Sequence, residues 1–251
     1  MSGHSKWSTI KRAKGAADAK RGLSFTKLGN AITIAAKLGN SGDAESNPRL
    51  RMALEEARSL NMPKENIQRA IDRGLGNLPG QTLEEVVYEG FGPSKAAFIV
   101  EAVTDNKLRT LAEMKNLFDR SGGSLGSTGS ASFMFKKMGE IKVVSKGGSS
   151  EDEILEIIDG GAEDVEELTE DSRLGYLVYT DPTAFSQVLN YIKNAGFEVE
   201  SSEIIMKPTI LTEIKDKEKA EQVLNFTDRL EFHDDVQKVF ANFDIAEGLL
   251  D

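Results

Sequence analysis

Apolar residues recur at helical spacing through the first third of the chain. The first run contains Phe25, Leu28, Ile32 and Ala35 and ends at a Gly-Asn pair, which is typical of a helix C-terminus. Two further helices are predicted to begin at Asn-Pro and Met-Pro pairs, which are good helix starts. Their inner faces are Leu50, Leu54, Ala57 and Leu60, and Ile67, Ala70 and Ile71. We therefore predict a compact helical domain over residues 25–79, preceded by a flexible arm of residues 1–24.

Beyond residue 80 the spacing changes from helical to alternating. Val86–Tyr88 and Ala97–Thr104 are predicted strands, and Gly92-Pro93-Ser94 between them indicates a hairpin. A helix is predicted to begin at Asp105-Asn106 and to end at Gly122-Gly123. A Gly/Ser-rich loop follows and leads into a short apolar run.

The next segment, residues 140–207, has a regular order of elements. It alternates strand, helix, strand, strand, helix and strand, which is the ferredoxin-like arrangement βαββαβ. The predicted strands are Ile141–Val144, Val165–Glu170, Tyr176–Thr180 and Glu198–Ile205, and the predicted helices are Glu151–Ile158 and Pro182–Asn194.

Two more helices are predicted after Pro208. One carries Ala220 and Val223, and the other carries Val236, Val239 and Phe240. They have no partner of their own, so we expect them to pack on the segment of residues 80–139. The fold class is therefore α+β multidomain: an N-terminal helical bundle, a middle α+β domain and an inserted ferredoxin-like domain. The predicted domains are residues 25–79, residues 80–139 with 208–251, and residues 140–207.

Charge is sorted along the chain rather than mixed. The 251 residues carry a formal net charge of −10, yet the first forty residues hold eight Lys and Arg and one acid. Residues 140–207 hold five bases against sixteen acids. A charge distribution of this kind indicates which partners a protein binds and does not indicate its fold. The natural partner for the basic end is a phosphate backbone.

The candidate nucleic-acid-binding residues lie in the arm and on the helical domain. In and near the arm they are Lys6, Trp7, Lys11, Arg12, Lys14, Lys20, Arg21 and Lys27, and on the helical domain Arg49, Arg51, Arg58, Arg69 and Arg73. The indole of Trp7 is expected either to stack on a base or to dock on the helical domain. Residues 41–80 hold six bases and six acids, so the arm must supply most of the attraction. No base-reading spacing occurs, which favours backbone or shape recognition.

Several classes of chemistry are excluded or unsupported. Without cysteine the chain has no disulfide, no thiolate nucleophile and no cysteine-bound zinc. The two histidines, His4 and His233, show no carboxylate spacing that would complete a metal site. The loop Gly122–Gly129 lacks the Gly-Lys-Ser/Thr ending of a phosphate-binding loop. Glu84-Glu85 and Asp234-Asp235 have no nucleophile nearby, and the second pair is predicted to open a helix. We expect no catalytic residue, no metal and no cofactor.

The chain resembles the YebC/PmpR family over essentially its whole length. The resemblance is carried by Ser2–Trp7, Asp18–Arg21, Phe25–Leu28, Asn47–Arg51, Asn61–Ile67, Tyr88–Pro93, Asp105-Asn106, Arg109-Thr110 and Asp234–Gln237. It implies a three-domain architecture and a cytoplasmic, non-enzymatic transcriptional regulator that binds DNA. Mitochondrial relatives resemble translational activators, and bacterial members have been connected to stalled ribosomes.

Three functions remain open from the sequence. The first is a DNA-binding transcriptional regulator, and the second is a translation factor that binds RNA, either rRNA or tRNA on the ribosome. The third is an acidic scaffold for a protein partner. No apolar run approaches the roughly twenty residues that a membrane span needs, so no membrane partner is expected. The oligomeric state is expected to be a monomer or a weak dimer.

Overall fold

The computed structural model describes residues 17–79, 82–170, 173–246 and 249, with the backbone alone for residues 17–24 and 170. The described residues fall into two compact units. The first unit comprises residues 17–131 and 216–241, and the second comprises residues 132–215 and 242–246. The predicted division into three domains stays a prediction, and the two units are described separately.

Among the described residues, the first unit contains five α-helices and the strands of one sheet, and the second contains two α-helices and the remaining strands. In chain order the elements are α1 Ala17–Gly39, α2 Pro48–Ser59, α3 Lys64–Gly74, β1 Glu84–Phe91, β2 Ala97–Thr104, α4 Lys107–Arg120, β3 Ser124–Leu125, β4 Phe135–Val144, α5 Ser150–Asp159, β5 Asp164–Glu170, β6 Arg173–Thr180, α6 Phe185–Asn194, β7 Glu198–Pro208, β8 Thr212–Ile214, α7 Lys217–Glu231, β9 Val236–Ala241 and β10 Phe243–Ile245.

The helices α1, α2 and α3 form the predicted helical bundle. Asn47 caps α2 by accepting a hydrogen bond from the Leu50 N–H at 3.1 Å, with Pro48 in the first turn. Ile32 and Leu50 lie fully buried in its core. Helix α1 begins at residue 17, eight residues before the predicted start. Residues 17–24 are rich in Ala, Lys, Arg and Leu, whose helix propensity extends α1 where no apolar period marked it.

The bundle holds α1 and α3 in close backbone contact. A Cβ added at Gly74 would lie 2.4 Å from the Thr33 carbonyl oxygen and 2.8 Å from the Ala36 Cβ. Thr33 also donates its hydroxyl to the Ala70 carbonyl at 3.0 Å. Glycine is therefore required at position 74 by a neighbouring backbone that cannot move without separating the helices.

The substitution Gly74→Ala is expected to destabilise the bundle by about 1–3 kcal/mol, because overpacking forces the two helices apart. Gly29→Ala is the matched control on α1, since its added methyl group meets only the Met62 Cε at 3.9 Å. That control is expected to be neutral or stabilising by up to about 1 kcal/mol. Native-state hydrogen exchange of α1 amides measures both, and equal effects of the two substitutions would contradict the close-contact explanation.

The sheet of the first unit has the strand order β3-β1-β2-β9. The predicted hairpin is confirmed, with β1 antiparallel to β2 and Tyr88 opposite Val100. One predicted helix is wrong, because residues 236–241 form β9, antiparallel to β2. The spacing of Val236, Val239 and Phe240 fits a helical stripe, but β-branched side chains also favour strands, and the free edge of β2 decides between the two.

The core of the first unit lies between this sheet and the helices α4 and α7. Phe226 packs edge-on against two other phenylalanines, with ring centroids 5.0 Å from Phe98 and 4.9 Å from Phe118. The prediction of a helix carrying Ala220 and Val223 is confirmed by α7, where both residues are fully buried. These contacts fix α4 and α7 on the same face of the sheet.

The second unit contains the predicted ferredoxin-like sheet, with strand order β5-β6-β4-β7 and every neighbouring pair antiparallel. Strand β4 begins at Phe135 and the edge strand β7 runs to Pro208, so this pair of strands is longer than predicted. The two-stranded parallel pair of β8 and β10 also belongs to this unit. Asn242 is buried and donates its amide to the Ile210 carbonyl at 2.9 Å. Part of the predicted 208–251 segment therefore packs in the second unit rather than in the first.

Candidate nucleic-acid interface

The predicted arm contacts fall mostly outside the described part of the chain. Lys20 and Arg21 lie on α1, where the backbone alone is described. Outside the described residues are Lys6, Trp7, Lys11, Arg12 and Lys14. Their role in binding stays a prediction.

Four of the predicted arginines project from the bundle surface. Arg51 and Arg58 are exposed on α2, and their separation of seven residues places them on one helix face. Arg69 and Arg73 are exposed on α3, four residues apart. Within the described residues none of the four forms an ion pair, so their guanidinium groups are available for an anionic partner.

Two other predicted contacts are engaged inside the protein. Arg49 forms a salt bridge with Glu85 on β1. Lys27 donates its Nζ to the Glu231 carbonyl oxygen at 2.6 Å, at the carbonyl end of α7, where a positive charge is favourable. Both side chains tie the bundle to the rest of the first unit, which comprises the strands β1, β2, β3 and β9 with the helices α4 and α7 and is called the sheet half below. Their predicted contact with nucleic acid is untested, and in this structure they hold the unit together.

A polar cleft of about 540 Å³ opens between the bundle and the sheet half of the first unit. Arg73 lines it from the bundle side, and Arg109 lines it from α4. The remaining lining residues are Asn30, Leu83, Val103, Asp105, Glu113, Phe232, His233, Asp234 and Asp235. The cleft therefore joins one predicted arginine to several residues that were not predicted as site residues.

Arg109 is the centre of a charge network in this cleft. Its guanidinium lies 2.7 Å from the Asp235 Oδ2 and 3.1 Å from the Asp105 Oδ1. Thr110 also donates its hydroxyl to the Asp235 Oδ2 at 2.6 Å. The Asp235 carbonyl accepts the Val103 N–H at 2.8 Å. Asp235 thus connects α4, β2 and the turn before β9.

The network shifts the pKa of the half-buried Asp235 and of the buried Tyr88. Burial raises the pKa of Asp235, but the hydrogen bonds from Thr110 and Arg109 outweigh it and lower that pKa below its ordinary value. Burial, with the negative charges of Asp235 and Glu113, raises the pKa of the Tyr88 hydroxyl. Asp235 is therefore a carboxylate and Tyr88 a neutral phenol at neutral pH.

The sequence predicted that Asp234-Asp235 open a helix, and this is wrong. The pair lies in a turn between α7 and β9. The acidic side chain of Asp235 is stabilised by Arg109 and Thr110 instead of by a helix N-terminus. The prediction failed together with the helix predicted after it.

Donor atoms of Glu113, His233 and Asp235 lie within 4.8 Å of one another, a group that could hold a cation. The Nε2 of His233 is 3.0 Å from the Glu113 Oε2, and its Nδ1 accepts the Asp235 N–H at 3.2 Å. Arg109 contacts both carboxylates and places one positive charge between them. Hydrogen bonds and ion pairs therefore account for the group without a metal. The absence of a bound metal stays a prediction.

The Gly/Ser-rich loop is held by a buried carboxylate. Glu89 accepts the backbone N–H groups of Gly129 at 2.9 Å and of Ala131 at 2.8 Å. A carboxylate on these two amides leaves neither of them for a phosphate and places a negative charge beneath the loop. This arrangement favours a structural loop over a phosphate cradle.

Sequence reasoning missed Arg109, His233 and Phe232 as site residues. Arg109 and Asp235 are 126 residues apart in sequence, so no local spacing joins them. The available signal was the resemblance itself, which includes Arg109-Thr110 and Asp234–Gln237.

No described helix is long and apolar enough to cross a bilayer.

Comparison with known proteins places these features in a family. The TACO1/YebC protein N-terminal domain matches residues 5–77, and the TACO1/YebC second and third domain matches residues 83–243. A probable transcriptional regulatory protein of Geobacter sp. strain M21 is 48% identical over 98% of this chain and 97% of its own length. One of Fusobacterium nucleatum is 49% identical over 100% of this chain and 99% of its own.

A solved structure agrees with this assignment. The crystal structure of a conserved hypothetical protein from Aquifex aeolicus matches with a TM-score of 0.82 and 41% identity. The match covers 93% of this chain and 94% of that one. Both family domains and relatives of nearly equal length therefore agree, and the chain belongs to the TACO1/YebC family.

Proposed function

We propose that the protein is a non-enzymatic, cytoplasmic regulator of gene expression that binds DNA. The observation that carries the proposal is the set of exposed arginines on α2 and α3, which form no ion pair among the described residues. These helices follow the basic N-terminal segment of an otherwise acidic chain. The names of the relatives, probable transcriptional regulatory proteins, support the same conclusion.

The proposed mode of binding is contact with the phosphate backbone. Exposed arginines on two short helices can bind phosphates bidentately but provide no obvious reading of base edges. The acidic stretch of residues 140–207 would be repelled by the same phosphates, so the charge distribution would orient the basic end toward the nucleic acid. The tight ion pairing of Arg109 and Asp235 supports a positioning role for the cleft rather than catalysis.

The double substitution Arg51→Gln and Arg58→Gln is expected to reduce the salt dependence of binding to duplex DNA. Each lost phosphate contact lowers the slope of log K against log salt by about 0.9, so two contacts lower it by about 1.8. The matched control is Arg120→Gln with Arg229→Gln, because these arginines are also exposed and form no ion pair among the described residues. Fluorescence anisotropy at several salt concentrations measures both, and equal slopes for the two variants would contradict the proposed surface.

A second candidate function is an RNA- or ribosome-associated translation factor. Phe232 at the cleft is 57% exposed, and an exposed aromatic ring suits an unstacked base, which single-stranded RNA offers and a duplex does not. Sucrose-gradient sedimentation of the intact protein in cell extract, with and without RNase, distinguishes the two. Sedimentation with ribosomes that RNase abolishes would favour the RNA function over the DNA function.

A further inference from the structure

We propose that the cleft between the bundle and the sheet half of the first unit binds a single unstacked nucleotide of a single strand. The inference rests on the second candidate function, the binding of single-stranded RNA, and names the part of the ligand that this cleft receives. Its volume of about 540 Å³ lies within the range of small-molecule sites. A base within a duplex is stacked on both faces and could not enter the cleft without being flipped out of the stack.

The two walls of the cleft differ in charge. On the bundle side Arg73 is exposed and has no ion-pair partner among the described residues. On the sheet side, Asp105, Glu113 and Asp235 share the single guanidinium of Arg109, and Asp234 is exposed and forms no ion pair within the described residues, so this wall carries a net negative charge. A nucleotide presents the matching polarity, with an anionic phosphate at one end and N–H donors on its base at the other.

The free carboxylate indicates which bases fit best. A carboxylate accepts hydrogen bonds and donates none when it is ionised. Guanine offers two adjacent donors, its N1–H and its amino group, which match the two oxygens of Asp234. Uracil offers a single imino donor flanked by carbonyl oxygens, which the carboxylate repels. We therefore expect the cleft to prefer guanine over uracil.

Phe232 supplies the stacking surface. It follows the last residue of α7, and its backbone N–H donates to the Asp228 carbonyl at 2.8 Å, which fixes the position of its Cα. Its side chain is 57% exposed at the edge of a polar cleft. An aromatic ring in this position loses water contact when a base stacks on it, and stacking of this kind tolerates any base.

A cation is a poorer occupant than a nucleotide. Glu113, His233 and Asp235 approach one another, but the Arg109 guanidinium contacts both carboxylates. A divalent ion would have to displace that guanidinium. A lysine or arginine side chain of a protein partner would suit Asp234 but would leave Arg73 facing a like charge. The nucleotide is the ligand that uses both walls and the exposed ring.

The test uses the intact chain and an adenine-rich single strand of about ten nucleotides that contains one 2-aminopurine and no guanine, so that no guanine competes with the probe for the cleft. Entry of that base into the cleft separates it from its neighbours, so its fluorescence is expected to rise on binding. Phe232→Ala is expected to abolish the rise and to weaken binding about 5- to 150-fold, the range expected for one base stacked on an aromatic ring. Phe133→Ala is the matched control, because that phenylalanine is 65% exposed in the second unit.

A second variant tests the phosphate wall. Arg73→Gln is expected to lower the salt slope for the single strand by about 0.7. Guanosine monophosphate is expected to compete with the strand better than uridine monophosphate. Salt-dependent binding that is equally strong in the Phe232→Ala and Phe133→Ala variants would overturn the nucleotide site and leave the proposed function intact. Failure of the unsubstituted protein to bind any nucleic acid would overturn the proposed function itself.

Discussion

Deletion of residues 1–16 is expected to remove most of the affinity for duplex DNA and to flatten its salt dependence. The deleted segment contains four of the predicted phosphate contacts, Lys6, Lys11, Arg12 and Lys14. If all four bind phosphates, the slope of log K against log salt falls by about 3.6. The deletion ends before α1 begins, so it leaves the buried side chains of the bundle in place. Anisotropy titrations over a range of salt concentrations measure the change.

The control for the deletion is the full-length chain with the same four residues changed to Gln. It retains the length of the arm, and it is expected to reproduce most of the lost affinity because charge rather than chain length provides the attraction. Trp7→Ala separates the two roles left open for the indole. Loss of affinity without loss of bundle stability indicates stacking on a base, whereas loss of stability indicates docking on the bundle. Unchanged affinity and slope in the deleted protein would contradict the role of the arm.

Replacement of Asp235 by Asn is expected to destabilise the first unit by roughly 1.5–3 kcal/mol, the range for hydrogen bonds to a charged group. The substitution leaves Arg109 without its closest carboxylate and weakens the bond from the buried Thr110 hydroxyl. Asp234→Asn is the matched control, since the neighbouring carboxylate is exposed and forms no ion pair within the described residues. Urea unfolding at pH 7 and hydrogen exchange of the β2 amides compare the stability of the two variants. A loss of equal size in the control would contradict the network.

The lowered pKa of Asp235 also fixes the direction of a pH effect. A carboxyl group with a lower pKa in the folded state contributes stability above its unfolded pKa of about 3.9. That contribution is lost as the pH falls through the lower folded pKa. The unsubstituted protein is therefore expected to lose more stability between pH 5 and pH 2 than Asp235→Asn does. Parallel pH profiles of the two proteins would show that Asp235 is not the group responsible.

The spacing of apolar residues correctly predicted those helices and strands whose own residues favour a single structure. The ferredoxin-like segment was confirmed strand by strand because each element carries its own apolar pattern and its own Gly or Pro boundary. Residues 236–241 were predicted as a helix because their apolar spacing fits both structures, and only the pairing with β2 favours the strand. Residues 17–24 show the opposite case, in which helix propensity acts without an apolar pattern.

The candidate site was predictable only in part. Helix spacing placed Arg51 with Arg58 and Arg69 with Arg73 on shared helix faces, and the structure exposes all four, while their contact with nucleic acid stays a prediction. Helix spacing could not tell that Arg49 and Lys27 are held by Glu85 and by the end of α7, because those partners are distant in sequence. The cleft was missed for the same reason, since folding alone brings Arg73 to residues of α4 and of the turn before β9.

The most direct test of the account is the salt dependence of nucleic-acid binding by the intact chain. Affinity for a random-sequence duplex should be measured from about 0.05 to 0.5 M salt. The account predicts a linear fall of log K with log salt, with a slope several times the value of about −0.9 that a single phosphate contact gives. It also predicts little dependence on the sequence of the duplex. Binding with a slope near zero, or no binding at the lowest salt concentration, would contradict it.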